Sequence, residues 1–537
     1  MECRSLPFRQ LPHQPKLFLQ FLDNFSSVKQ FYGYPPTLQA VTKSAKSLSY
    51  PRERRAEVAA ILSEQNAAFG AGEAARENLA RFAKGAVAVV SGQQVGLFGG
   101  PAYAVYKAVS AIRIAQELRK AGVDAVPVFW MATEDHDLEE VRSSTWFHNG
   151  KLKRFELPGN GDAGLPVGKI ALGPQVQEMV DEAAEILRAA GGELVARIFR
   201  DSFGAKETYG SAFGKLFARL FAEQGLILLD PLDGRLHRVA GEVLRRAAEQ
   251  REELNDALLA RGKELDKAGF AAQVKVTARS TLLFQIGSGV RQPIGFSGGK
   301  FVSGERSWTN DELVRAIVAE PESFSPNALL RPVLQDYLLP TAAYIAGPAE
   351  IAYFAQAEVI YKKLLGRMTA ILPRAAYTIV DAKAEKLLSR YGLTAEDVWR
   401  GAQELRGKME TASVLRALGA QFDKSLKENA RMLEKLKKQI ARLDPTLKGA
   451  VATAQRKIAF QLEKLKRKTG KAQALKTALI DGHEEYLESW FYPHKGLQER
   501  ELCFLPVLAQ WGPGGLKELQ KLSASAKMKE HKLVGIP

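Results

Sequence analysis

The chain has little of what marks a special environment. Only 2 of its 537 residues are cysteine, Cys3 and Cys503. They form no CxxC pair, so a disulfide framework and a four-cysteine structural zinc site are both excluded. A reducing compartment fits that scarcity. No uninterrupted apolar run of about 18 residues occurs, which excludes a membrane-spanning helix of the hydropathic kind. The first residues, MECRSLPFRQLPHQPKLF, lack the continuous apolar stretch of a signal peptide, so a cytoplasmic address is expected. There is no GxSxG, and His13, His148, His237, His483, His494 and His531 stand in no metal-ligand spacing. Serine-hydrolase and zinc-hydrolase chemistry are therefore without support.

What is present describes a large globular protein. Apolar residues make up 46% and charged residues 25%, and 537 residues exceed the size at which one hydrophobic core stops growing, so two or more domains are expected. The net charge of +16 is concentrated: between Gln421 and Lys471, 15 Lys/Arg stand against 5 Asp/Glu. These cations interleave with an apolar seam and have few aromatic neighbours. They read as a solvated helix face, and nucleic acid is the less favoured partner.

Several segments read as strand followed by helix. Ala86 to Val90 leads through the glycine-rich GQQVGLFGGPAY, residues 92 to 103, into a helical pattern from Tyr103 to Leu118. Val126 to Trp130 follows, and runs at once into Thr133-Glu134-Asp135-His136-Asp137; Leu226 to Leu229, Thr341 to Ala346 and Thr369 to Leu372 are further strands. Strands alternating with helices predict an α/β fold with a parallel sheet, right-handed crossovers, and ligands outside the carboxyl ends of the strands. Residues 144–206 and about 268–308 interrupt this rhythm, the second with glycine-turned hairpins, after which Thr309 and Glu312 offer a capping box. Farther on, Phe422, Leu426, Leu433, Leu436, Ile440 and Leu443 form a heptad seam, Asp444-Pro445 breaks it, and Val451, Ala454, Ile458 and Leu465 form a second. Two antiparallel helices of about 35 to 45 Å follow from that pattern. Such a seam is structural or dimer-forming.

Three stretches carry candidate chemistry. In the glycine loop, Gly92, Gly96, Gly99 and Gly100 match neither a Walker A loop nor GxGxxG. Glycines still let backbone amides approach an anion, and Pro101 suits the first position of a helix whose N-terminus attracts negative charge. Gln93 and Gln94 add amide groups, Phe98 and Tyr103 belong to the same turn, and Lys107 lies four residues beyond Tyr103. A tight turn holding nothing explains the glycines equally well. In TEDHD, the carboxylates of Glu134, Asp135 and Asp137 could hold a divalent ion such as Mg2+ or raise His136 toward general-base duty. Acids decorating a helix N-terminus give the same pattern, and adjacent turn residues rarely all ligate one ion, so no bound structural metal is expected. The third stretch places Asn327, Arg331 and Gln335 four apart on one helical face, with Asp336 beside them and Gly347 and Glu350 following. Arg331 there can grip a carboxylate or phosphate in fork geometry, with burial against Asp336 as the structural alternative.

Taken together, SGQQVGLFGGPAYAVYKA, PVFWMATEDHDLEEV, SPNALLRPVLQDYLLPTAAYIAGPAEIAYFAQ and WFYPHKGLQER resemble the bacillithiol biosynthesis cysteine-adding enzyme family. The likeness runs from about residue 80 through 375 and returns near 490. It implies a Rossmann-like core of the class I aminoacyl-tRNA-synthetase kind over residues 1–380, with the two interruptions as connective insertions. It further implies a coiled-coil arm over 381–490 that forms a homodimer, and a C-terminal segment, 491–537, that returns to the core. The activity implied is that of a ligase joining cysteine through its carboxyl to the amine of glucosaminyl-malate, with ATP as activating nucleotide. GLFGGPAY then stands where the synthetases carry HIGH, although neither HIGH nor KMSKS occurs. Two distant cysteines also cannot supply the zinc site by which related cysteine-activating enzymes select the thiol.

On this reading His136 takes the amine proton, and Asp135 and Asp137 orient it or bind Mg2+. Loop amides from Gln93 to Gly100 hold phosphate or an oxyanion, and Arg331 or Lys107 pairs with malate carboxylates. Two other readings remain open: a dimeric metabolite-binding or scaffold protein whose basic arm contacts nucleic acid, and a nucleotidyltransferase with another acceptor.

Overall fold

Five strands form the centre of the chain in a computed structural model that describes residues 3–159, 164–287, 289–413, 416–475, 479–512 and 514–536. They are β1 (Val87–Gln93), β2 (Ala125–Met131), β3 (Ile227–Leu229), β4 (Thr341–Ala346) and β5 (Ala370–Pro373). Their order is β5-β4-β1-β2-β3, and every pairing is parallel. Such a sheet must be covered on both faces, which is why β1 and β2 are continuous apolar runs. Alternate residues divide between the faces: Val87, Val89 and Ile345 pack with Ala111, Ile114 and Leu118 of helix α1 (Tyr103–Lys120), while Ala88 and Val90 join the larger core on the other side. The strand order reverses between β1 and β4, so chains leave the sheet there in opposite directions and open a crevice at its carboxyl edge.

The glycine loop differs from expectation. α1 begins at Tyr103, and Pro101 forms a β-bridge with Cys503 instead of opening the helix. Phe98 adopts φ 55° and is fully buried among Trp146, Phe155, Phe199 and Phe203, at centroid distances of 4.9 to 6.0 Å. Those rings come from the first interruption, which forms a hairpin, Ser143–His148 with Lys151–Glu156, and two helices, Val176–Ala189 and Glu193–Arg200. The loop is thus the plug that fastens that insertion to the sheet. A side chain at Gly96 would place its Cβ 2.8 Å from the Gly100 Cα, so the turn closes only with glycine.

The second interruption pairs Leu283–Gly287 antiparallel with both Val290–Pro293 and Phe324–Pro326, and adds a three-stranded meander from Gly295 to Trp308. The capping box at Thr309 and Glu312 is present and starts the helix Asn310–Ala319. Helices α2 (Arg331–Leu338) and α3 (Pro348–Leu365) flank β4. Asn327 precedes α2 and does not share its face: its side-chain oxygen accepts from the N–H groups of Leu329 and Leu330, closing the turn before the helix.

The arm consists of α4 (Arg416–Leu443) and α5 (Lys448–Leu475), joined at Pro445. Its apolar residues differ in burial. Leu433 and Val451 are buried between the helices, whereas Leu436, Leu443 and Leu465, expected in the seam, are exposed together with Met432 and Phe460. The C-terminal strand Glu530–Gly535 lies between Cys3–Pro7 and Ala376–Val380 in a second sheet. Among the described residues no helix is long and apolar enough to cross a membrane.

Candidate active site

A crevice of about 720 Å³ opens at the carboxyl end of β2, between the sheet and the second insertion. The sheet side supplies Trp130, Glu134 and Asp135; Phe284 and Arg291 come from the insertion, and Asn327 and Arg331 from the approach to α2. Acids and arginines therefore line one aromatic-walled cleft. That arrangement suits a ligand with an ammonium at one end and an anionic group at the other.

Arg331 is the most telling member. Its Nη2 donates to the Tyr353 hydroxyl at 2.9 Å and the Tyr344 hydroxyl at 3.4 Å, and its Nη1 to Gln335 Oε1 at 3.2 Å. All three partners are neutral, and among the described residues no carboxylate lies within ion-pairing distance. Asp336, the partner envisaged as an alternative, is instead hydrogen-bonded by Gln335 Nε2 at 3.1 Å, and burial raises its pKa to about 6. Gln335 and Asp336 are both buried behind the arginine, so they support it and do not meet a ligand directly.

The TEDHD stretch disperses. Glu134 is buried and paired at 2.9 Å with His237 Nε2, whose Nδ1 lies 2.8 Å from the Phe324 carbonyl. Burial disfavours the His237 imidazolium, but Glu134 outweighs it and the pKa rises above its ordinary value. Asp137 is exposed and caps the short helix Leu138–Val141. Asp135 remains at the crevice, accepting from Gln94 Nε2 at 2.8 Å and from the His136 N–H at 2.8 Å. Among the described residues no three His, Cys, Asp or Glu side chains converge on an ion position. The donor set of TEDHD therefore does not fit a resident Mg2+: one carboxylate is paired, one caps, and one is left.

His136 also departs from expectation. Its Nδ1 lies 3.0 Å from Arg291 Nη1, and a guanidinium can only donate. That nitrogen is thus engaged as an acceptor and cannot take a proton from an amine. Arg291 is disfavoured by burial, an effect that Glu134 and Asp135 oppose.

The remaining candidates form a second cluster at the β1/β4 switch point. Lys107 Nζ contacts Glu350 Oε2 at 2.6 Å, the Gly92 carbonyl at 2.8 Å and Gln93 Oε1 at 2.9 Å. Gln93 Nε2 reaches the Tyr103 hydroxyl at 3.2 Å, while Glu350 accepts from the Gly347 N–H and the Tyr344 hydroxyl, each at 2.7 Å. Burial lowers the Lys107 pKa. Burial also works against the Glu350 carboxylate, yet Lys107, Gly347 and Tyr344 hold its pKa below the ordinary value. Three acceptors satisfy the three donors of an ammonium, so Lys107 does not compete with Arg331 for a substrate carboxylate. Tyr344, touching both Glu350 and Arg331, joins the two clusters.

Three of the loop amides are engaged within the turn itself. The N–H groups of Gly96, Gly99 and Gly100 donate to Gln94, Gly96 and Leu97 carbonyls within the turn, and Phe98 lies in the core. Reading the sequence missed Arg291, Phe284, Tyr353 and His237. Arg291 sits in the stretch read only as glycine hairpins, and His237 meets Glu134 through a contact between distant parts of the chain that no local spacing announces.

Two family models cover nearly the whole chain. One, described as "Bacillithiol biosynthesis BshC, N-terminal Rossmann-like domain", matches residues 1–375; the other, the C-terminal coiled-coil domain of the same family, matches 377–536. Among curated proteins, the chain is 41% identical over 532 residues to one from Koribacter versatilis, covering 99% of each. It is 37% identical to one from Solibacter usitatus over 95% of this chain and 96% of that one, and 31% identical to one from Salinibacter ruber over 97% and 96%. All three carry the name "Putative cysteine ligase BshC".

Proposed function

The chain belongs to the bacillithiol biosynthesis BshC family, and from that membership we propose that it is a carbon–nitrogen ligase that joins the carboxyl of cysteine to the amine of glucosaminyl-malate. The observation that carries this reading is Arg331, a cation lining the crevice with neutral partners only. Such a group favours an incoming anion, because the charge is already desolvated and positioned. Arg331 receives a malate carboxylate. Glu134 and Asp135, which line the same crevice, attract the amine.

Two ions in water do not condense to an amide, so the carboxyl must first be activated. ATP would supply that activation: a cysteine carboxylate oxygen would attack a phosphorus atom, the P–O bond to the departing phosphates or nucleotide would break, and the carboxyl would be left as a mixed anhydride. The amine nitrogen then attacks the carbonyl carbon, the C–O bond to phosphate breaks, and Asp135 accepts the proton released by nitrogen. Glu134, paired with His237, stands beside Asp135 in the crevice lining. The arm makes the homodimer in this reading, through Met432, Leu436, Leu443 and Leu465, which are exposed on a single chain.

The test is direct. Purified protein given cysteine, ATP and glucosaminyl-malate is expected to form a product heavier than glucosaminyl-malate by cysteine less water. Formation that is absent, or unaffected by Arg331→Met, overturns the assignment.

A further inference from the structure

Arg291, carried into the crevice by the second insertion, fixes the chemistry of its neighbour. Its Nη1 lies 3.0 Å from His136 Nδ1, its Nε 3.0 Å from Ser325 Oγ and its Nη2 2.8 Å from the Pro326 carbonyl. The guanidinium also lies 3.9 Å from the centre of the Phe284 ring. Three hydrogen bonds and a ring face hold the fork in one orientation. Because every guanidinium nitrogen donates, His136 Nδ1 must present its lone pair, and the neutral ring carries its proton on Nε2. The other charged group facing Nδ1 is Asp135, whose Oδ1 lies 3.7 Å away, beyond hydrogen-bond reach. Phe284 stacks obliquely at 5.8 Å. Nε2 meets no acceptor among the described residues, and the side chain is 38% exposed.

We propose that Arg291 is a positioning residue that locks His136 in its Nε2–H form, so that His136 donates a hydrogen bond to the substrate oxyanion instead of acting as a base. The proposal rests on the ligase reading. When the amine attacks the activated carboxyl, the new N–C bond forms as the carbonyl π pair moves onto oxygen. The pair returns as the phosphate-bearing C–O bond breaks, and the amine proton passes to Asp135. A preorganised donor beside the crevice, against the lining residues Arg291 and Phe284, stabilises that oxygen while it is charged.

The lock can be read without turnover. In full-length protein labelled with 15N at its 7 histidines, the His136 signals are those lost in His136→Gln. At about pH 7.5 and without substrates, Nδ1 is expected to resonate as an unprotonated nitrogen and Nε2 as a protonated one. In Arg291→Met the two should move toward the averaged shifts of a freely exchanging imidazole. An Nδ1–H form in the unsubstituted protein, or a His136 spectrum indifferent to Arg291→Met, overturns the lock. Activity tests the donor. A glutamine amide N–H takes the place of Nε2–H, and an asparagine that of Nδ1. His136→Gln is therefore expected to lower kcat by less than about tenfold, and His136→Asn and His136→Ala by about 100-fold. Equal losses in all three overturn the donor role. If the unsubstituted protein forms no amide, the ligase reading fails, while the spectra still decide whether Arg291 sets the tautomer.

Discussion

Arg374 and Arg331 both stand near the carboxyl edge of the parallel sheet, and they differ in what surrounds them. Arg374, just after β5, is buried and forks onto Glu499 through bonds of 2.8 and 2.6 Å; Glu499 also accepts from the Tyr377 N–H at 3.2 Å. Arg331 lines the crevice and is ringed by two phenols and an amide. In the first region the fold supplies the counter-charge, so the pair ties the C-terminal segment to the core. In the second the fold supplies orientation and leaves the counter-charge to a ligand. Presence of a cation is thus uninformative by itself; what completes it separates structural from functional arginines.

This contrast can be broken by substitution. Arg374→Ala strands Glu499 as a buried unpaired carboxylate and is expected to lower unfolding free energy by about 3 to 5 kcal/mol in urea titration. Arg331→Met leaves behind only neutral hydrogen-bond partners, with Glu350 still paired to Lys107. It is expected to change stability by about 1 kcal/mol or less, yet to cut amide formation about 100-fold, equivalent to about 2.7 kcal/mol of lost interaction. Equal destabilisation by both substitutions would erase the distinction.

Asp336, behind Arg331, sharpens the comparison through pH. Its carboxyl takes up a proton at about 6 in the folded protein but near 3.9 when unfolded. The folded form therefore binds more protons between those values, and stability falls as pH rises from about 4 to 6. Asp336→Asn, which is never charged, should be more stable than the unsubstituted protein by roughly 3 kcal/mol at about pH 8. That advantage should disappear near pH 4. A difference that does not change with pH would show that burial does not disfavour this carboxylate.

The smallest effect on folding is expected in the arm. Leu436 is 40% and Leu465 53% exposed, so Leu436→Lys with Leu465→Lys should alter the stability of one chain by about 0.5 kcal/mol or less. Light scattering should nevertheless report a halved mass at micromolar concentration. Unchanged mass would remove these residues from the dimer interface.

Much of the architecture was legible because its signals are local. β4 occupies the expected Thr341–Ala346, the capping box at Thr309 acts as read, and proline ends the first arm helix at Asp444. Each rests on neighbours within a few residues, where periodicity and backbone chemistry are decisive. The arm shows where this stops. Heptad spacing finds apolar residues on a helix, but it does not say which of them are buried, and Leu436, Leu443 and Leu465 are exposed.

The candidate site divides the same way. Hydrophobic period and chain order set the strands, the alternation with helices, the interruptions, and the placement of Glu134 and Asp135 just past the carboxyl end of a strand. Only the tertiary structure decided what those groups can do. It buried Phe98 beneath the first insertion, set His237 against Glu134, engaged Lys107 with three acceptors, and brought Arg291 to His136. A side chain's charge state and free valence depend on partners far away along the chain, and those partners exist only once the insertions have folded over the sheet.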